Sequence, residues 1–433
     1  MVIVLILSLL AILSMFICVL KYPIIRIKNI SLDTFFMPLL FVALILLIFN
    51  LFDKTEFLNI ITSSSSVNPV TILILFICVS LLSIALDETG FFSYIANIFV
   101  NKYKKSQFQL FFILYILISV LTVFTSNDIV ILTFTPFILY FSKRANINPI
   151  PYLVMEFVAA NTYSIILPIG NPTNIYLTSL FNIDFLSYIK TMIIPALIVG
   201  LSSLIALILL FKKDLKEKMQ TFEIGTSEIK NKPLCIISLI HLFVTTILLA
   251  VSSYINLQMW LICLIFALSL TTILLGFSIY YKNFNYLTNT IKRLPYNLIP
   301  FILSMFTIIM ALDSFNIFYN IFNLLEQVNN PYIQKMVYLL ASTLSCNIIN
   351  NIPMTLAFGS ILSNTSNLSL VYSSIIGSNI GSLFTPIGAL AGIMWIRILK
   401  YNNVDYSFTK FMKNGTIIIL FIVLGLSIGL LFI

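Results

Sequence analysis

The feature that most constrains this chain is a set of helix breakers that occurs twice in otherwise apolar sequence. Asn161, Pro168 and Gly170 form one copy and Asn379, Pro386 and Gly388 the other, with Pro seven and Gly nine positions after the Asn in both. Each copy follows a polar stretch. Ser126-Asn127-Asp128 precedes the first, Asn127 lying 34 positions before Asn161, and Asn350-Asn351-Ile352-Pro353 precedes the second, Asn350 lying 29 positions before Asn379. Pro removes a backbone donor and blocks the preceding turn, while Gly loosens the backbone. At membrane depth such irregular backbone is tolerated only where protein buries it or it lines a cavity. The two copies therefore read as halves of one transport site.

The membrane reading comes from composition. Of the 433 residues 60% are apolar and only 9% are charged, against about a quarter charged in a soluble domain. Met1 to Leu20 lacks a basic leader and a small-residue cleavage site, so it is expected to stay as a helix and not to act as a signal peptide. Cys18, Cys78, Cys235, Cys263 and Cys346 are scattered through apolar segments, which predicts neither a disulfide frame nor a metal centre. A net charge of +9 would suit nucleic acid, but in a membrane chain basic residues report orientation, and no nucleic-acid partner is expected. No Gly-rich phosphate loop followed by Lys is present, so the chain is expected to be no enzyme, to need no cofactor, and to rely on a separate ATPase subunit if ATP is used at all.

Spans of about 20 apolar residues cross a bilayer. Met1 to Leu20, Thr34 to Phe52 and Val67 to Leu86 are predicted as three crossings, followed by a short interfacial helix over Gly90 to Val100. Residues 106–142 are too short for two crossings and are polar at the midpoint, which predicts a re-entrant hairpin. Asn148 to Phe181 is a fourth crossing broken at Pro168 to Asn174, and Tyr188 to Phe211 a fifth. Residues 212–232 are the charged linker. The series then restarts: crossings over Leu234 to Ile255, Leu257 to Tyr281 and Pro295 to Leu312, an interfacial helix over Ser314 to Gln327, a hairpin over about 335–364, a broken crossing over Leu368 to Ile396, and a last one over Gly415 to Ile433. The expected fold is thus an all-α polytopic membrane protein of two repeats, 1–211 and 233–433, each with five crossings and one hairpin.

Five crossings force the second repeat to be inverted. With helix one entering from outside, 21 of the 24 Lys and Arg fall on inner segments, including Lys28, Lys104, Lys105, Arg293 and Arg397, and only Lys54, Lys190 and Lys335 fall outside. This has the sign of the positive-inside rule and places both termini outside a plasma membrane. Inverted repeats with discontinuous helices are the plan of secondary transporters, whose half-helix N-termini and unwound carbonyls hold anion and cation near the midplane.

Few ionisable residues lie at depth. Asp128, at the first hairpin tip, is the leading candidate for the coupling ion; the equivalent place in the second repeat is read as Asn351. Asp87, Glu88 and Asp313 end corresponding helices and are read equally as caps of the helices that follow or as gate residues. Glu156 and His241 are read as packing groups before carriers, with Glu156 kept among the coupling candidates. The binding candidates are Ser126, Asn127, Asn161, Thr162, Gly170, Asn171, Asn174, Asn347, Asn350, Asn351, Asn379, Thr385 and Gly388, the amides and breakers of the two copies.

At these motifs the sequence resembles the ion transporter superfamily, most closely its arsenite and antimonite efflux permeases. The residues that carry the resemblance are Ala85-Leu86-Asp87-Glu88-Thr89-Gly90-Phe91-Phe92, Asn127-Asp128 with Leu132 and Pro136, Asn350-Asn351-Ile352-Pro353, and Thr385-Pro386-Ile387-Gly388-Ala389-Leu390-Ala391 with Trp395. The resemblance runs through nearly the whole chain. It implies ten crossings and two hairpins, a homodimer with a scaffold and a moving part, and a small anion or neutral arsenite exchanged for H+ or carried with Na+, the sodium at the hairpin tips. Two departures stand out. Asn161 and Asn379 occupy places that are acidic in the arsenite permeases, and Gly170-Asn171-Pro172-Thr173-Asn174 is closer to the general anion permeases and the sodium-coupled dicarboxylate and sulfate carriers. A sodium/proton antiporter is the other antiport reading; a channel or structural subunit is the remote one.

Overall fold

The computed structural model describes residues 1–22, 24–27, 30–53, 68–103, 106–219, 228–252 and 257–433, with a few positions between 55 and 62 and at 254–255. Lys28, Lys54, Val67, Lys104, Lys105 and positions 220–227 of the linker lie outside the described residues.

The chain is helical apart from one small hairpin. Helix α1 (Val2–Lys21) leads into antiparallel strands β1 (Ile24–Ile27) and β2 (Ile30–Asp33), in which Ile24 faces Asp33 and Ile27 faces Ile30. Then come α2 (Met37–Ile48), α3 (Pro69–Glu88), α4 (Phe91–Tyr103), α5 (Gln107–Phe124), α6 (Asn127–Ala145) and α7 (Ile150–Tyr163). After a one-turn 3-10 segment, Pro168–Gly170, follow α8 (Pro172–Leu180) and α9 (Phe185–Phe211). The second half runs α10 (Lys232–Val251), α11 (Met259–Tyr280), α12 (Asn285–Lys292), α13 (Leu298–Asp313), α14 (Ile317–Leu325), α15 (Pro331–Ile349), α16 (Asn351–Leu362) and α17 (Leu368–Gly381). A matching 3-10 turn, Pro386–Gly388, precedes α18 (Leu390–Tyr401) and α19 (Phe408–Gly429). The series from α3 to α9 is thus repeated, element for element, from α13 to α19.

Local chemistry sets these boundaries and accounts for several of the chain's Asn. Asn68, Asn171, Asn231, Asn330, Asn350 and Asn367 each cap a helix by accepting a backbone N–H. Asn146 and Asn316 adopt left-handed φ of 50° and 58° where one helix ends and another begins. Gly90, at φ 84°, makes the corner between α3 and α4.

Seven described helices are long and apolar enough to cross a membrane: α1, α3, α5, α9, α10, α11 and α19. Six of these are predicted crossings and the seventh, α5, is the first arm of the predicted hairpin; the remaining predicted crossings are built from shorter pieces. The second is helical only over the 12 residues of α2, and the two broken crossings are the pairs α7 with α8 and α17 with α18. Helices α13 and α14 bend by 77° at their junction, as expected of a crossing followed by an interfacial helix. Three boundaries differ from expectation. The last helix begins at Phe408, capped by the Ser407 hydroxyl, and not at Gly415, because the basic residues Lys410 and Lys413 sit on its first turns. Residues 285–292, expected only as a basic segment, form α12. The second hairpin starts at Pro331, capped by Asn330, ahead of Lys335.

Packing follows the repeat. The first hairpin arm lies on the first half of its own broken helix in both halves, α5 on α7 and α15 on α17. The closing helices α9 and α19 pack along each other. Contacts between the halves are reciprocal as well: α6 meets α18, and α16 meets α8. Each second hairpin arm therefore touches the far half of the opposite broken helix.

Candidate transport site

The amides of the two breaker copies meet in the interior, and Asn379 joins the halves. Its Oδ1 accepts from Ser164 Oγ at 3.0 Å and from Asn171 Nδ2 at 2.9 Å, and its Nδ2 donates to Asn174 Oδ1 at 2.8 Å. Asn174 Nδ2 in turn donates to the Ser164 carbonyl at 2.8 Å, so the unwound segment between α7 and α8 is closed on both sides. Ser378 Oγ donates to Thr173 Oγ1 at 3.1 Å beside it. The second break is held from within its own half. Asn347 Oδ1 accepts from the Thr385 N–H at 3.0 Å and the Thr385 hydroxyl at 2.7 Å, Asn347 Nδ2 donates to the Gly381 carbonyl at 3.0 Å, and Asn350 Nδ2 reaches the Ile387 carbonyl at 2.9 Å. Asn161, the counterpart of Asn379, receives one bond across helices, from Asn127 Nδ2 at 3.1 Å. The repeat is symmetric in sequence spacing and asymmetric in hydrogen bonding.

Helix register at the two tips revises one equivalence. Ser126 precedes α6 and Asn350 precedes α16, so Asn127 and Asn351 occupy the same first helical position, and Asp128 corresponds to Ile352. The reading that paired Asp128 with Asn351 is out by one residue, because the sequence was aligned on adjacent amides without knowing where each helix starts. The corrected pair shares an unusual property. Asn127 Oδ1 and Asn351 Oδ1 are both buried with no hydrogen-bond partner, and so is Ser126 Oγ. Buried acceptors left open cost about 1–3 kcal/mol each, and both helix N-termini carry one.

Asp128 lines a cavity of about 370 Å³. Among the described residues no donor reaches its carboxylate. The cavity wall is mainly apolar, with Phe76, Ile129 and Leu390 among its lining, and Lys292, Arg293, Arg397 and Lys400 also line it. Arg397 is held by Asp33 at 3.1 Å. Arg293 is held twice, by Asp87 and by Glu88, each at 2.6 Å, and Thr133 Oγ1 donates to Asp87 at 3.0 Å. The carboxylates of Asp87 and Glu88 accept no backbone N–H among the described residues, so the capping reading gives way to an ion-pair node that ties α3 and α6 to the segment between α12 and α13.

The remaining candidates separate by role. Gly170 and Gly388 are where the backbone closes on itself: a Cβ at Gly170 would lie 2.3 Å from the Ser164 carbonyl oxygen, and one at Gly388 2.9 Å from Asn347 Oδ1. Thr162 bonds to carbonyls of its own helix and takes no part in the cluster. Asp313 is exposed at the end of α13. His241 is a packing residue, its Nδ1 on the Ile237 carbonyl at 2.9 Å and its Nε2 on Ser269 Oγ at 3.1 Å. Glu156 is fully buried against Thr135. Sequence reasoning missed Ser164, Thr173 and Ser378, hydroxyls with no distinguishing pattern, and missed the pairing of Arg293, which had counted only towards orientation. No group of three or more metal-ligating side chains occurs among the described residues.

Broken helices facing each other through buried amides, beside two helical hairpins, define a multi-span membrane transporter. The chain belongs to the citrate transporter family (CitMHS), which it matches over residues 1–371. It is 24% identical over 375 residues to an arsenical pump membrane protein of Escherichia coli, covering 81% of this chain and 84% of that one, and 24% identical over 364 residues to its namesake in Yersinia enterocolitica, covering 80% and 82%. Among solved structures it is similar to the YdaH transporter of Alcanivorax borkumensis, whose topology is described as unusual, with a TM-score of 0.58 at 12% identity over 99% of this chain and 97% of that one.

Proposed function

We propose that this chain is a secondary active transporter that exports a small, uncharged or weakly charged oxyacid, arsenite or antimonite first among them, in exchange for protons. The observation that carries this reading is the make-up of the amide cluster: among the described residues, no Lys or Arg hydrogen-bonds to any of its amides. Trivalent arsenite is a neutral hydroxide near neutral pH and can be held by amides and hydroxyls alone. A trivalent or divalent carboxylate would face the same cluster without a fixed countercharge. Asp128, unpaired on the cavity wall, is the carboxylate assigned to the coupling ion.

The two repeats are assigned opposite orientations, with both termini outside a plasma membrane and Arg293 and Arg397 on the cytoplasmic side. The reciprocal contacts of α6 with α18 and α16 with α8 support that assignment. A homodimer, with α10 and α11 in the scaffold, belongs to the same reading.

A second reading rests on the open oxygens of Ser126, Asn127 and Asn351. Unwound backbone carbonyls at helix breaks coordinate Na+ in transporters, and these side-chain oxygens would add ligands of the same hard type, which suits sodium coupling to a dicarboxylate or sulfate, or sodium/proton exchange. Transport into everted vesicles separates the two: arsenite, antimonite, citrate, a dicarboxylate, sulfate and sodium are followed with an imposed pH or sodium gradient. Proton-driven arsenite uptake supports the first reading, and sodium-driven anion uptake the second. Asp128→Asn is expected to abolish gradient-driven uptake at normal protein levels; full retention removes Asp128 from coupling.

A further inference from the structure

A carboxyl that plays no part in the amide cluster sits where α6, α7 and α18 meet. Glu156, on α7, has no accessible surface. It makes no ion pair among the described residues. Its partner is the Thr135 hydroxyl of α6, which lies 3.0 Å from Oε1 and 3.1 Å from Oε2. That hydroxyl also lies 2.7 Å from the Ile131 carbonyl, which can only accept. A hydroxyl has one proton. If the shorter contact takes it, the remaining proton in the Thr135–Glu156 pair comes from the carboxyl, and Glu156 is a neutral acid donating to Thr135. A buried carboxylate with neither counter-ion nor donor would be costly.

The second observation is Trp395 on α18. Its indole packs at a tilt of 40° against Phe157, the residue after Glu156, with ring centroids 5.2 Å apart. The indole N–H is buried and makes no hydrogen bond, yet it is near enough to the Glu156 carboxyl to interact with it. A buried indole N–H normally finds a partner. Here its neighbour is the carboxyl that is engaged with Thr135. Among the described residues no charged side chain pairs with or hydrogen-bonds to Glu156; its polar neighbours are Thr135 and Trp395.

We propose that Glu156 is an occluded proton-binding residue of the transport cycle, bonded to Thr135 when protonated and taking the free Trp395 indole N–H when ionised. Because Glu156 has no accessible surface, its proton leaves to water only when α6 or α18 moves. Ionisation then draws α18 of the second half onto α6 and α7 of the first. The step moves one proton from carboxyl to solvent: the Thr135 hydroxyl turns from the Ile131 carbonyl to the carboxylate and the Trp395 indole N–H becomes the second donor, so two hydrogen bonds replace two. This rests on the proton-exchange reading above, but its test needs no substrate.

The chain has two tryptophans, so Trp260→Phe leaves Trp395 as the single fluorophore. Purified W260F protein in detergent is titrated by pH, and the infrared stretch of protonated carboxyls is recorded near neutral pH for wild type and E156Q. The expected result is a sigmoidal change in Trp395 emission that E156Q abolishes, with loss of one protonated-carboxyl band. An unchanged infrared difference, or a Trp395 titration that survives E156Q, overturns the assignment. Thr135→Val covers the case in which E156Q does not fold: it removes the acceptor, so the band must shift, and an unshifted band is equally fatal. Failure of these readouts with proton-driven transport intact would reject Glu156 alone, whereas failure of transport with the readouts intact would reject the transport reading.

Discussion

Replacing Asn379 by Ala should uncouple the two halves by an amount that its contacts set. The substitution deletes three bonds between halves, with Ser164, Asn171 and Asn174. Ser164 Oγ keeps the Asn161 carbonyl and Asn174 Oδ1 keeps a longer contact from Thr173, so each loses about 0.6 kcal/mol, the average for a side-chain bond in a membrane protein. Asn171 Nδ2 has no other partner and is left buried and open, at about 1–3 kcal/mol. The total is about 2–4 kcal/mol. Asn161→Ala, at the symmetric position, deletes a single bond between helices and should cost about half as much. Reversible denaturant unfolding in mixed micelles measures both. A double-mutant cycle of Asn379→Ala with Asn171→Ala should give a coupling of about 1 kcal/mol, because the pair shares one bond and one orphan. Equal losses at positions 379 and 161, or an additive cycle, would refute the assignment of Asn379 as the tie between halves.

Gly170→Ala places a methyl 2.3 Å from a backbone carbonyl and should destabilise by about 3 kcal/mol, whereas Gly276→Ala meets nothing within 4 Å and should be neutral or stabilise α11; thermal melts of the two, side by side, decide it. Cysteines introduced at the exposed Lys143 and Gln327 are expected to react with an impermeant maleimide from opposite faces, and labelling of both from one face would contradict the opposed insertion of the hairpins. Arg293→Gln leaves two carboxylates of low exposure without their cation and should cost about 1–3 kcal/mol, between the values for exposed and buried pairs. Partial rescue by Asp87→Asn in the same chain would be seen in the same melts, and its absence would argue against the ion-pair node.

The sequence by itself determined the membrane setting, the order of the elements and the location of the breaks. Apolar runs, Pro and Gly act within one turn of chain, so spans, hairpins and 3-10 turns could be placed to within a few residues, apart from α12 and the start of α19. It also singled out Asn171, Asn174 and Asn379, which the fold brings together, although several of the chain's asparagines proved to be helix caps. What it could not decide was which amide meets which. Asn161 and Asn379 have the same spacing to the same breakers, yet one makes a single bond across helices and the other joins both halves. Asp128 looked like the partner of Asn351 until the first residues of α6 and α16 fixed the register. Arg293 was one more inner cation until folding set it, about two hundred positions away in sequence, against Asp87 and Glu88. Glu156 stood beside no counter-charge in the sequence, and only the tertiary structure set Thr135 and Trp395 around it. Hydrogen bonds and charges act over a few ångströms in space, and a local pattern reports the chemistry available at a breaker without reporting what the fold brings to it.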